Sequence, residues 1–268
     1  MTTTEATSHY DNLQEMSVEA LLTSINKEDQ TVPMAVAKAI PSIIPLVEEI
    51  VAKMSAGGRL FYIGAGTSGR LGVVDASEIP PTYGVAFDQV IGIMAGGDGA
   101  IRKAVENAED DQNQAWKDME AFGANEGDAL IGIAASGRTP YVLGGVQAAM
   151  AKGLTTGCIV CNQASPIAHS VKYPIEVVVG PEFVTGSTRM KAGTASKLVL
   201  NMISTSVMIK LGHVKGNKMI DMKLSNAKLV ERAINMLMSE MEIDRKVAER
   251  MIQEHGSVRQ AIDHFQAH

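Results

Sequence analysis

The sequence predicts an α/β fold, a three-layer αβα arrangement around a five-stranded parallel sheet with flanking N- and C-terminal helices. Three observations predict it. Apolar runs of strand length alternate with helical stretches between residues 55 and 180. Gly-rich turns join them, as right-handed βαβ crossovers require. Helical patterning without strand character fills the sequence on either side. A closed eight-fold barrel is disfavoured, because only about five credible strands are present.

The first forty or so residues read as a mobile tip followed by helices. Ser17 opens an amphipathic run, and Thr31-Val32-Pro33 opens a second, with Pro tolerated in a first helical turn. Pro41 and Pro45 are expected to interrupt it; the helix resumes over 46–54 and stops at Gly57-Gly58. Strands are expected over 59–63, 90–94, 129–134, 155–161 and 175–179. Helices are expected over 68–78, 98–121 and 139–152 between them. Beyond Gly180 the pattern is helical: 190–211, then 218–241, 244–255 and a last helix near the end. Three regions follow: an N-terminal arm and helices over 1–54, an α/β domain over 55–215 and a helical region over 216–268.

Composition narrows the function. A hydrophobic content of 46% supports a full core. The net charge of -6 argues against a broad nucleic-acid-binding face. No stretch approaches the roughly 20 apolar residues of a membrane span, and the polar N-terminus has no signal-peptide character, so a cytoplasmic protein is expected. Cys158 and Cys161 form C-x-x-C on a strand, where positions i and i+3 face opposite ways. Two buried free thiols, rather than a redox pair, are expected. The histidines are scattered without metal-ligand spacing, so no metal is expected.

Two turns share one design. Gly64-Ala65-Gly66-Thr67-Ser68-Gly69-Arg70 and Ala134-Ala135-Ser136-Gly137-Arg138-Thr139 each follow an apolar strand and open a helix. Small residues, hydroxyls, unsatisfied N–H donors and the positive end of a helix dipole are what a phosphate monoester needs. The first turn is G-x-G without the final Gly of G-x-G-x-x-G, and no acidic ribose partner ends the second strand, so dinucleotide binding is the weaker reading. Two carboxylates stand near these turns. Glu78 precedes Ile79-Pro80-Pro81, and a helix ending there would hold it rigidly; Glu109 lies in Glu106-Asn107-Ala108-Glu109-Asp110. Either acid alone also suits a solvated surface. The segment 180–194, with Glu182, Arg189 and Lys191 among hydroxyls, suits an anionic ligand or a capped helix entrance.

Taken together, residues 64–72, 75–84, 134–141 and 184–195 closely resemble the N-acetylmuramic acid 6-phosphate etherases, which are similar to the wider sugar-isomerase (SIS) class. The resemblance covers roughly residues 17–230 and implies an SIS phosphosugar-binding domain over 55–215. It departs at the N-terminus, which lacks the family's Arg-Asn and second-Asp pattern, and in a C-terminal part that is shorter by about a helical hairpin.

The resemblance implies a carbon–oxygen lyase that splits the lactyl ether of N-acetylmuramate 6-phosphate into N-acetylglucosamine 6-phosphate and D-lactate. A homodimer without metal or organic cofactor is implied. Glu78 becomes the acid that protonates departing lactate and Glu109 the base at C2. Gly66, Thr67, Ser68, Ser136, Gly137, Arg138 and Thr139 become the phosphate-binding positions, and Glu182 borders the sugar. The alternative is a non-catalytic phosphosugar-sensing regulator similar to the glucokinase regulatory proteins, which typically carry two such domains. An aldose–ketose isomerase of the same fold is a third reading, and the Glu78-to-Tyr83 motif is not its usual signature.

Overall fold

The computed structural model describes residues 3–266. Its centre is a parallel sheet of β1 (Leu60–Gly64), β2 (Val90–Met94), β3 (Ala129–Ala134), β4 (Thr155–Val160) and β5 (Tyr173–Glu176). Their order is β2-β1-β3-β4-β5, so β1 and β3 are neighbours, with Gly64 beside Ile133. The strands are covered on both faces, which explains why they read as continuous apolar runs. Leu60, Tyr62, Ile131 and Ile159 pack towards α2 (Val32–Ser55), α3 (Gly66–Tyr83) and α7 (Lys191–Lys210). Phe61, Ile63, Leu130 and Val160 pack the other way, against α5 (Gln114–Glu120) and α6 (Pro140–Ala151). Ahead of these stands α1 (Val18–Asp29), and α4 is the single turn Gly99–Arg102.

Several expectations need correction. Pro41 and Pro45 do not interrupt α2, which is one helix of 24 residues. Both prolines sit on its exposed side, while Val36, Ala39, Ile43, Leu46 and Ile50 line its buried stripe. An interior Pro costs ~3 kcal/mol or more, and burial of that stripe offsets it. Helix α3 likewise continues through Pro80 and Pro81 to Tyr83, where Gly84 ends it with φ 70°. Glu78 therefore lies within the helix rather than at its end. Asp75, on the same helix, is buried and accepts hydrogen bonds from Tyr62, Asn201 and Ser204, tying α3 to β1 and α7. Burial raises its carboxyl above the ordinary range despite those bonds.

The long helix expected over 98–121 breaks into α4, a 3₁₀ turn at Ala108–Asp110, and α5. Asn107 adopts a left-handed conformation with φ 61°, and the Asp111 side chain accepts from Asn113 N–H in a local turn. Short polar side chains offer the backbone this alternative to a helix. The loop then lies directly on α6: a Cβ on Gly144 would stand 1.8 Å from the Gln112 carbonyl oxygen. The fifth strand is shifted to Tyr173–Glu176.

The N-terminal tip is not loose. Residues 3–10 run across the sheet's carboxyl edge, where Ser8 Oγ donates to Phe183 O at 2.7 Å and the Tyr10 ring packs against Phe183 at an interplanar angle of 53°. At the other end, residues 218–226 are not helical; Val214–Lys215 and Lys218–Met219 form a small hairpin, β6 and β7. Helices α8 (Ala227–Met241), α9 (Arg245–His255) and α10 (Val258–Gln266) then pack around their own apolar cluster. This cluster is clasped to the hairpin by Arg259, whose guanidinium binds the Asp221 carboxylate at 2.6 Å, with His213 on the same carboxylate at 2.8 Å. Among the described residues no helix is long and apolar enough to cross a membrane.

Cys158 and Cys161 are both free and buried, and burial pushes each thiol up to about 12. A thiol reagent at pH 8 is therefore expected to label neither in the native protein and both in denaturant. Rapid native labelling of either would contradict this packing.

Candidate phosphosugar site

The site begins with topology. The chain crosses to opposite sides of the sheet after β1 and β3, so the two adjacent strands form a switch point with a crevice at their carboxyl ends. Helix α3 starts at Gly66, and its first closing bond is Gly69 N–H to Ala65 O at 3.2 Å. The N–H groups of Gly66, Thr67 and Ser68 thus have no acceptor within the helix. Helix α6 starts at Pro140 behind Thr139, whose side chain makes no capping bond. In the turn before it, Gly137 N–H donates to Ala134 O at 3.0 Å and Arg138 N–H to Ser136 Oγ at 3.2 Å.

The two turns bound one cavity of about 380 Å³, lined by Gly66, Thr67, Ser68, Ser136, Arg138 and Thr139. Its size suits a small ligand such as one sugar phosphate. Two helix N-termini, the four side-chain hydroxyls of Thr67, Ser68, Ser136 and Thr139 beside them and the exposed Arg138 guanidinium make this wall a donor surface, although the whole chain is acidic. Gly137 is the hinge of the second turn and does not line the cavity itself. Its φ is 68°, and a Cβ there would lie 2.2 Å from Ser165 Oγ.

The broken 98–121 stretch brings Glu109 into the same wall. Glu109 also borders an adjoining recess of about 250 Å³, with Ala95, Ala100, Val105 and Ala108. Arg70 holds the recess together, donating to Ile101 O at 2.7 Å and to Ala100 O at 2.8 Å rather than facing the cavity.

Two of the sequence-derived residues stand elsewhere. Glu78 is exposed on α3, twelve residues beyond Gly66, or roughly 18 Å along the helix axis at 1.5 Å per residue. It lines neither space within this chain. Glu182 is 1% exposed and accepts from the backbone N–H groups of Lys191 and Ala192 at 2.8 and 3.0 Å, so its carboxylate caps α7. Lys191 is not a ligand group either: its ammonium is buried against Glu28 of α1 at 2.6 Å. Partial burial opposes ionisation of Glu28, but the Lys191 hydrogen bond and charge hold its carboxyl below the ordinary range. Arg189 is exposed and outside the cavity lining.

Sequence reasoning missed Glu5, and named Thr188 only as part of a segment; both line the cavity. What places Glu5 comes from across the fold and leaves no local mark in the sequence. Asn162, just past β4, donates to Ser136 O at 3.2 Å and to Thr4 Oγ1 at 2.8 Å, and its Oδ1 accepts from Thr3 Oγ1 at 2.7 Å. One buried amide therefore joins the second turn to the arm that carries Glu5. Among the described residues no group of three or more His, Cys, Asp or Glu side chains is placed to hold a metal ion.

Comparison with known proteins decides the family. The chain is 63% identical to the N-acetylmuramic acid 6-phosphate etherase of Christiangramia forsetii over 97% of its own length and 95% of that relative. This chain belongs to the N-acetylmuramic acid 6-phosphate etherase family. A counterpart from Bacteroides fragilis is 55% identical over 98% of this chain and 94% of its own. Residues 42–150 also match the family model of the glucokinase regulatory protein N-terminal SIS domain. A phosphoheptose isomerase of Neisseria gonorrhoeae shares the fold, with a TM-score of 0.52 at 17% identity over 71% of this chain and 98% of its own. The α/β class and parallel sheet expected from the sequence are thus those of an SIS fold.

Gly137→Ala is expected to weaken inorganic-phosphate binding about tenfold or more, because a strained backbone and a clash with Ser165, together costing ~1–3 kcal/mol, are relieved by moving the turn off its anion-binding geometry. Calorimetry on a variant with unchanged circular dichroism checks it. Undiminished affinity would mean that the anion does not sit on this turn.

Proposed function

We propose that this protein is a carbon–oxygen lyase cleaving the D-lactyl ether of N-acetylmuramate 6-phosphate to N-acetylglucosamine 6-phosphate and D-lactate. The observation that carries the reading is the combination of Glu109 and two phosphate-suited helix starts in one cavity of a chain from the etherase family. The regulator reading is less well supported: its domain model matches only 42–150, whereas etherases match over nearly the whole chain.

The phosphate rests on Gly66, Thr67, Ser68, Ser136, Thr139 and Arg138, which fixes the other end of the sugar beside Glu109. In the open-chain form the C2 proton is α to the aldehyde, and the Glu109 carboxylate removes it. The electron pair forms the C2–C3 double bond as the C3–oxygen bond breaks. The lactyl oxygen takes a proton from a carboxylic acid and leaves as D-lactate. Water then adds, its hydroxyl to C3 and a proton to C2. Two carboxylates in opposite protonation states carry this sequence, and no resident cofactor is required by it.

The acid in this scheme is Glu78, supplied from a neighbouring subunit of a homodimer. Support comes from the layer of helices that α3 shares with α2 and α7 on one face of the sheet. Val74 stands one turn away on α3 at 58% exposure, and α2 adds exposed Met34 and Ile44. A second copy covering these apolar side chains would lose water from them and carry each Glu78 across the interface. The SIS domain over 55–215 would hold the sugar phosphate, and the regions 1–54 and 216–268 would complete the arm and the dimer surface; their outermost residues lie outside the described ones. A cytoplasmic location fits the two buried free thiols and a role in cell-wall amino-sugar recycling.

The test is D-lactate release from N-acetylmuramate 6-phosphate, read with a D-lactate dehydrogenase. Glu78→Ala and Glu109→Gln are each expected to lower turnover at least about a hundredfold while N-acetylglucosamine 6-phosphate still binds. Near-normal turnover by Glu78→Ala would remove it from the acid role, and absence of lactate with the unaltered protein would overturn the whole reading.

A further inference from the structure

The N-terminal arm presents a carboxylate that the etherase scheme does not use. Glu5 ends a 3₁₀ turn, Thr3–Glu5, and lines the cavity beside Ser68, Arg138 and Thr188. The turn is firmly held. Thr4 is wholly buried, its N–H donates to Asn162 Oδ1 at 3.2 Å, and its hydroxyl accepts from Asn162 Nδ2 at 2.8 Å. Three residues further on, Ser8 N–H donates to Thr185 Oγ1 at 2.9 Å. Glu5 itself is exposed to the cavity and has no hydrogen-bond or ion-pair partner among the described residues.

An unpaired carboxylate next to a phosphate site is electrostatically unfavourable, since like charges in one cleft repel. The anchored turn nevertheless holds it there. The cavity wall is otherwise dominated by donors: backbone N–H groups, hydroxyls and a guanidinium. Those satisfy a phosphate, which only accepts. They leave the donors of the sugar, its hydroxyl hydrogens, without a strong acceptor other than Glu5 and Glu109. Glu109 borders the adjoining recess as well, whereas Glu5 borders the main cavity alone.

We infer that Glu5 is a substrate-binding residue whose carboxylate accepts hydrogen bonds from sugar hydroxyls, so that the arm distinguishes a sugar phosphate from bare phosphate. The inference deepens the reading proposed above and rests on it for the identity of the sugar. Because Asn162 bonds both Ser136 O and the Thr3–Thr4 backbone turn, the acceptor for the sugar and the turn for the phosphate are held at a fixed separation. Ligands with a second negative charge at that position would be repelled, which is a selection as well as an attraction.

Binding measurements on the full chain separate this role from others. Calorimetry with N-acetylglucosamine 6-phosphate and with inorganic phosphate is run on the unaltered protein and on Glu5→Gln, which keeps the side chain's size. Hydrogen bonds to a charged acceptor imply a sugar-phosphate affinity lower by about tenfold or more. Phosphate affinity is expected to stay the same or rise as the repelling charge is removed. An equal loss of both affinities, or no loss of either, would overturn the assignment. Glu5→Ala should repeat the split; if it does not, the assignment also fails. The outcome does not depend on turnover. Should the unaltered protein release no D-lactate, the etherase reading falls while this comparison still decides whether Glu5 reads the sugar.

Discussion

The unsatisfied N–H groups at the starts of α3 and α6 are the constraint on which the remainder of the site depends. They lie together because β1 and β3 are neighbours while the chain leaves them in opposite directions. Neither helix start is closed by a side-chain cap. In a protein interior such donors would be costly, so they face a cavity where an anion can satisfy them. An acidic chain can bind an anionic ligand on these terms, because the local field of two helix ends and Arg138 outweighs a distant net charge at contact range.

Around that donor floor the structure places acids by three different means. Glu109 arrives on a loop that departs from helix geometry at Asn107 and is pressed against Gly144 of α6. Glu5 arrives on an arm pinned by Asn162, the same side chain that steadies the second turn. Glu78 rides on the rigid α3 but is exposed and does not line its own cavity. A carboxylate on the phosphate helix itself has a fixed direction, and in the homodimer proposed above a neighbouring subunit would make use of it. The buried Asp75 network, which locks α3 to α7, keeps that direction constant.

Much of this was legible in the residues, for identifiable reasons. Fully buried parallel strands are continuous apolar runs, so all five were found, with only β5 shifted at the thin edge of the sheet. The phosphate turns were found because Gly, Ser and Thr at strand ends report backbone requirements directly. Helix continuity across Pro41, Pro45, Pro80 and Pro81 was not legible: a local rule that breaks helices was overridden by burial of the opposite stripe. The break near Asn107 was hidden by good helix formers on either side. Lys191 and Glu182 looked like ligand groups because charge density does not reveal partners: one was matched by Glu28, more than 160 residues away, and the other by a helix end. Glu5 was invisible for the same reason, since a short polar arm carries no periodicity and its docking partner, Asn162, lies across the fold.

The central claim is that Glu109 works on the C2 proton of a sugar held by its phosphate. Incubation with N-acetylmuramate 6-phosphate in deuterated water, followed by proton NMR, tests it most directly. D-lactate together with N-acetylglucosamine 6-phosphate carrying deuterium at C2 is the predicted result. Lactate released with the C2 proton fully retained would contradict the elimination and addition steps and the role given to Glu109.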